Sequence, residues 1–134
     1  LGLLAKEKGL VLQSEIQANL QLWGDEAALH RLLVIILDNA IKYSPADTSI
    51  SFIASQSKSR LRIEVRDQGC GISDEDKEKV FDRFYRVDKA RSRSQGGLGL
   101  GLSLAWEIVH QHRGEIKILD NKPCGTIMQV LLPL

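Results

Sequence analysis

The sequence predicts an α+β fold in which a mixed or largely antiparallel sheet of about five or six strands carries helices on one face. Three observations predict it. Two stretches, Leu29–Ile41 and Leu102–Val109, repeat apolar residues at three- and four-residue intervals, the spacing of helices with one buried side. Shorter stretches alternate apolar and polar residues with period two, and two of them are joined by a short polar connection of the hairpin kind. Hairpins dominate, and no series of long βαβ units calls for an all-parallel sheet.

The 134 residues, 43% hydrophobic and 26% charged, suit one soluble domain with a single core. A net charge of +1 gives no electrostatic footprint for nucleic acid. The longest apolar run, Leu32–Leu37, is too short to cross a bilayer, and no signal-peptide pattern opens the chain. Cys70 and Cys124 lack metal-site spacing; two reduced thiols in a cytosolic protein are a simpler account than a disulfide. The opening LGLLAKEKGL, without Met, is expected of a domain taken from a longer protein.

Leu1–Lys8 reads as the tail of a helix or linker stopped by Gly9. Leu10–Ile16 alternates as a strand, and Asn19–Trp23 is expected to form a second, short one. Asp25 stands where the helical pattern starts and is the expected N-cap of the central helix, whose region Pro45 ends. In that helix Leu29, Leu32, Leu33, Ile36, Ala40 and Ile41 make the apolar face, and Asn39 interrupts it. Lys42 and Tyr43 follow Asn39 by three and four residues, so an amide, an ammonium and a ring stack on one side. Such a group suits a metal ion on the Asn39 oxygen, a phosphate on Lys42 and a flat ring on Tyr43, which together suggest a nucleotide. The alternative is a helix-end Asn bonded to its own backbone beside two surface residues.

Ser49–Ser55 and Arg60–Asp67 form the expected antiparallel hairpin around the polar segment QSKS. The second strand runs into Asp67-Gln-Gly69-Cys70-Gly71-Ile72, where closely spaced glycines let backbone approach a ligand. Asp67 suits an exocyclic amine such as that of adenine; a capped glycine turn is the plainer alternative. Ser73 caps a short acidic helix, SDEDKEKVF, with Asp76 at the capping-box position. Phe81, Phe84 and Tyr85 recur at helical spacing and are expected to pack. Arg83, Arg86, Lys89, Arg91 and Arg93 then load a segment too polar to pack, expected to be a mobile loop. It leads into Gly96-Gly97-Leu98-Gly99-Leu100-Gly101 ahead of the second long helix, an arrangement of backbone N–H groups that suits an anion. Its spacing fits neither a dinucleotide fingerprint nor a Walker loop. Glu115–Asp120 and Thr126–Leu132 are the last strands, joined by the turn Asn121–Gly125.

The ordered set LLVIILDNAIKYSP, DQGCGI, VFDRFYRVD, GGLGLGLSL and CGTIMQVLLP closely resembles the catalytic ATP-binding domain of bacterial sensor histidine kinases, within the superfamily shared with gyrase, Hsp90-type chaperones and MutL. The resemblance covers roughly residues 8–134. It implies a two-layer α/β sandwich with a mixed, mostly antiparallel five-stranded sheet on about three helices, residues 1–8 ending an upstream linker and 9–134 forming the domain. It further implies that Asn39 coordinates Mg2+ and that Lys42 and Tyr43 contact phosphate and adenine. Asp67 would receive the adenine amino group beside Gly69, Gly71 and Ile72. Phe81, Phe84 and Arg86 match the F box of an ATP lid, whose Arg reaches the phosphates. Gly97, Leu98, Gly99, Leu100, Gly101 and Leu102 match the second glycine box, and Gly125 and Thr126 the floor of the pocket.

Two departures stand out. Ile35 occupies the place, one turn before Asn39, where the kinases commonly have a second Asn and the gyrase-like ATPases a general-base Glu. Ile binds no metal and orients no water, so hydrolysis by the gyrase route is disfavoured and the magnesium shell lacks one ligand open to it; phosphoryl transfer, which rests mostly on positioning and charge neutralisation, need not be abolished by the loss. None of His30, His110 and His112 has the sequence context of a phosphoacceptor, and His112 reads as a helix-end residue of an HxG segment. The acceptor is therefore expected upstream, on a separate dimerisation domain, with a response regulator as indirect partner. The domain itself is expected to be a monomer on the cytoplasmic side, whether or not its parent is anchored in the inner membrane. Two other readings are an anti-sigma-factor-type serine kinase, against which the F box and long basic lid speak, and a non-catalytic ATP-sensing or docking module, which Ile35 favours.

Overall fold

Asp25 begins the longest helix, α1 (Glu26–Tyr43): its side chain accepts the Ala28 N–H at 3.2 Å, and Glu26 places negative charge in the first turn, satisfying helix-end donors and favouring the dipole. Leu32, Ile36, Ala40 and Ile41 are buried along one side, with Leu29 and Leu33 partly buried against the core, as their spacing predicts. The structure is a computed structural model and describes residues 6–18, 24–69, 71–82, 101–122 and 124–133. The strand expected at Asn19–Trp23, the side chains of Phe84 and Tyr85, and the basic segment with its first glycines lie outside the described residues.

Among the described residues five strands make one sheet: β1 (Val11–Ile16), β2 (Ser49–Ser57), β3 (Arg60–Arg66), β4 (Glu115–Asp120) and β5 (Thr126–Pro133). Their order is β1-β2-β3-β5-β4. The β1–β2 pair is parallel and the other three pairs are antiparallel, so the sheet is mixed and mostly antiparallel. Among the described residues two further helices are α2 (Asp74–Lys79) and α3 (Gly101–Gln111). Ser73 accepts the Asp76 N–H at 3.2 Å and its hydroxyl donates to the Asp76 carboxylate at 2.9 Å, the capping pair its spacing predicts.

Period two decides what each strand buries. Leu61, Ile63 and Val65 of β3, Met128, Val130 and Leu132 of β5, and Ile116 and Ile118 of β4 join Ala105, Ile108 and Val109 of α3 in the core. On the other register of β3, Arg60, Arg62 and Arg66 flank Glu64, which is 5% exposed and accepts Arg66 Nη2 at 2.6 Å and Gln129 Nε2 at 2.8 Å. Burial pushes the Glu64 carboxyl up, but those bonds and the charges of Arg66 and Arg62 leave it below its ordinary value. The edge strand β1 buries nothing fully: every residue is exposed, Val11 by 56% and Ile16 by 63%. It lies outermost, two strands from β3, where α1 packs.

Candidate nucleotide-binding site

Helix α1 delivers the first group of residues. Buried Ser44 closes the helix, its hydroxyl donating to the Ala40 carbonyl. Asn39 is partly exposed and its amide takes no partner among the described residues, so the alternative of an Asn bonded to its own backbone does not hold. Lys42 Nζ lies 3.0 Å from Asp38 Oδ2, each side chain about a third exposed (30% and 32%). A pair this wet contributes little, so Lys42 is able to exchange Asp38 for a stronger anion.

The second group gathers at the end of β3. Asp67 Oδ1 accepts the N–H of Gly69 at 2.9 Å and of Thr126 at 3.1 Å. The Asp67 N–H donates to the Thr126 carbonyl at 2.9 Å, and the Asp67 carbonyl accepts Asn121 Nδ2 at 2.7 Å. One oxygen and the whole peptide frame are thus fixed, while Oδ2 takes no hydrogen bond among the described residues. Burial pushes the Asp67 carboxyl up, only partly offset by the two N–H groups. A carboxylate so held and partly desolvated is a directed acceptor for an amine.

Glycines bring the two groups together. A Cβ on Gly69 would sit 2.8 Å from the Tyr43 carbonyl oxygen, so this turn lies directly against the end of α1. Gly125 lies as close to Asp67: a Cβ there would meet the Asp67 carbonyl oxygen at 2.0 Å, and its φ is +110°, a conformation open to glycine alone. Gly71, also at positive φ (+79°), faces the Gly125 carbonyl. Gln68 Oε1 accepts the Ser49 N–H at 3.0 Å and ties the turn to β2. Ile72 and Phe81 pack partly buried against the core.

The third group is the start of α3. Helices α1 and α3 run antiparallel, Gly101 facing the Ile35 Cγ2 methyl and His112 facing Gly24. Ile35 therefore fills with hydrocarbon the position beside the α3 N-terminus, and Leu102 packs partly buried below. Phe84, Arg86, Gly97, Leu98, Gly99 and Leu100 lie outside the described residues. At the far end, the Asp25 N–H donates to His112 Nε2 at 3.1 Å and His112 Nδ1 lies 2.8 Å from the Ile108 carbonyl, which requires the Nδ1–H tautomer. This is the helix-end role its sequence position predicts, here joining two helices. Asn121 was not marked by its sequence as a support of Asp67; an Asn opening a glycine turn is the faint signal it offers.

Residues 24–134 match the family described as the histidine kinase-, DNA gyrase B- and HSP90-like ATPases. The chain belongs to this family. It is 46% identical over 132 residues to the sensor protein CiaH of Streptococcus pneumoniae, covering 98% of this chain and 30% of CiaH. It is 42% identical over 113 residues to the signal transduction histidine-protein kinase ArlS of Staphylococcus aureus, covering 84% of this chain and 25% of ArlS. Among solved structures, the mycobacterial sensor histidine kinase MprB superposes with a TM-score of 0.85 at 27% identity, covering 98% of this chain and 87% of that one. The chain thus spans less than a third of the length of these two curated relatives.

Proposed function

We propose that this chain binds Mg-ATP and, as the catalytic domain of a sensor histidine kinase, presents the γ-phosphoryl group to a histidine on a separate dimerisation domain. The observation that carries the nucleotide part is the Asp67 carboxylate, clamped by Gly69 and Thr126 through one oxygen and set against the end of α1 by Gly69. On this reading Asp67 selects the adenine amine, with Gly69, Gly71, Ile72 and Thr126 around it and Tyr43 against the ring. The amide oxygen of Asn39, without a partner among the described residues, suits a Mg2+ that takes its other ligands from phosphates and water. When bound, that ion offsets phosphate charge and orients the transferring group. Lys42, released from Asp38, and Arg86 add positive charge at the phosphates. On the same reading Gly97, Leu98, Gly99, Leu100, Gly101 and Leu102 line the triphosphate side, as the resemblance of their glycine spacing implies. The parent protein works on the cytoplasmic side, where ATP is, and passes its phosphoryl group to a response regulator.

Calorimetric titration with a non-hydrolysable ATP analogue, with and without magnesium, tests this. Binding that strengthens with magnesium is expected, and a folded Asn39→Asp protein of unchanged affinity would sink the magnesium assignment. One observation favours a second reading, a non-catalytic ATP-sensing or docking module: Ile35 lies against Gly101, where it supplies no ligand. Phosphoryl transfer to a supplied dimerisation domain, expected on the first reading, separates the two.

A further inference from the structure

The end of α1 is held by a residue from a distant part of the chain. Residues 6–9 make a turn in which the Gly9 N–H donates to the Lys6 carbonyl at 3.1 Å, and Gly9 has φ +72°. The turn seats on the loop after α1: the Asp47 N–H donates to the Lys8 carbonyl at 3.1 Å. A Cβ on Gly9 would lie 2.3 Å from Asp47 Oδ1, so the turn is closely seated on that side chain. From this seat the partly buried Lys8 side chain reaches α1, Nζ donating to the carbonyls of Ile41 at 2.9 Å and Lys42 at 3.1 Å.

Carbonyls of the last helical turn have no partner within the helix, and the dipole makes that end negative. With Ser44 on the Ala40 carbonyl, the orphan oxygens of residues 40, 41 and 42 are all taken. The Lys8 bonds are charge-assisted and partly shielded from water, so they are stronger than a surface ion pair. They close on the peptide groups of the turn that displays Lys42 and Tyr43, whose own carbonyl abuts Gly69.

We propose that Lys8 is a positioning residue for the nucleotide site: its ammonium locks the last turn of α1 and so sets where Lys42 and Tyr43 point. This rests on the nucleotide reading of that site. Without the lock the turn samples several arrangements, and affinity falls by the fraction of time spent in the competent one.

The test titrates the unaltered chain and its K8M, K8Q and K8R variants with magnesium and the non-hydrolysable ATP analogue, well below their melting temperatures. Met keeps the apolar stem and removes every donor; a loss of about fivefold to twentyfold is expected, as for a turn competent roughly 5–20% of the time. Arg, able to donate to both carbonyls, is expected to restore affinity to within about twofold. A merely stabilising Lys8 would lower the melting temperature of K8M and leave its affinity unchanged, which overturns the proposal. If K8M does not fold, K8Q serves in its place, and an unaltered affinity there has the same force. Failure of the unaltered chain to bind overturns the nucleotide reading and this proposal together, whereas equal binding by the unaltered chain and K8M overturns this proposal alone.

Discussion

Replacing Gly125 by Ala tests the way the site is assembled. The added Cβ would stand 2.0 Å from the Asp67 carbonyl oxygen, 2.8 Å from the Asp67 carbonyl carbon and 2.9 Å from the Gln68 Cα. All three are backbone atoms, and ordinary carbon–oxygen contact begins near ~3.3 Å, so peptide units have to separate by about an ångström. The units in question carry the bonds from Thr126 and Asn121 to Asp67. Weakening two such bonds costs about 1 kcal/mol each, and φ of +110° adds about 1–3 kcal/mol for a residue with a Cβ. The sum is about 3–5 kcal/mol, a large part of the stability of a domain this size. At roughly 3–5 °C per kcal/mol for this length, the melting temperature should fall by about 10–25 °C.

Two companion glycines calibrate the measurement. At Gly71 a Cβ finds its nearest neighbour 3.5 Å away but φ is +79°, so Gly71→Ala should cost about 1 kcal/mol. Gly101 has an ordinary φ and its Cβ would rest 3.6 Å from Ile35, so Gly101→Ala should cost nothing. Urea denaturation of the three variants beside the parent gives the ranking. If Gly125→Ala stays within about 1 kcal/mol of the parent or matches Gly71→Ala, the packing of the β5 turn on Asp67 is not what holds the carboxylate.

Two further outcomes follow from other parts of the site. Because the Asp67 carboxyl is raised by burial, the folded state binds its proton more tightly than the unfolded chain does; its contribution is full below the unfolded value and is lost as pH rises through the folded one. As pH rises above the ordinary carboxylate value of about 4, parent stability should therefore decline relative to Asp67→Asn, measured by urea denaturation; a constant difference between the two would refute the shift. Ser73→Ala removes the acceptor of the Asp76 N–H and should cost about 1 kcal/mol, with a loss under ~0.3 kcal/mol contradicting the cap.

What the sequence disclosed was set by distance along the chain. Asp25 and Ser73 bond to N–H groups three residues away, and the β2–β3 hairpin closes over a short turn, so local spacing sufficed. The parallel seating of β1 on β2 leaves no mark in either strand's alternation, because it depends on the path of α1 between them. The same holds at the site. Asp67 and Gly69 were visible as a turn motif, and their bond is local. The supports from Asn121, 54 residues away, and of α1 by Lys8, 33 and 34 residues away, joined nothing readable in one dimension. Ile35 was visible as a departure from the resembled pattern, but that its methyl meets the start of α3 required the fold.

Strand order also bears on how the domain is made. β5 lies between β3 and β4, yet it is the last of the strands to be synthesised. Until Thr126–Pro133 has been made, β3 has a neighbour on one side only, and its backbone donors and acceptors face outward along Arg60–Arg66. An open strand of that kind recruits other chains. Arg60, Arg62, Glu64 and Arg66 stand along it on the side away from the apolar core, and charges in that place discourage such pairing. The Arg66–Glu64 ion pair of the finished sheet thus belongs, with Arg60 and Arg62, to the gatekeepers of the nascent one.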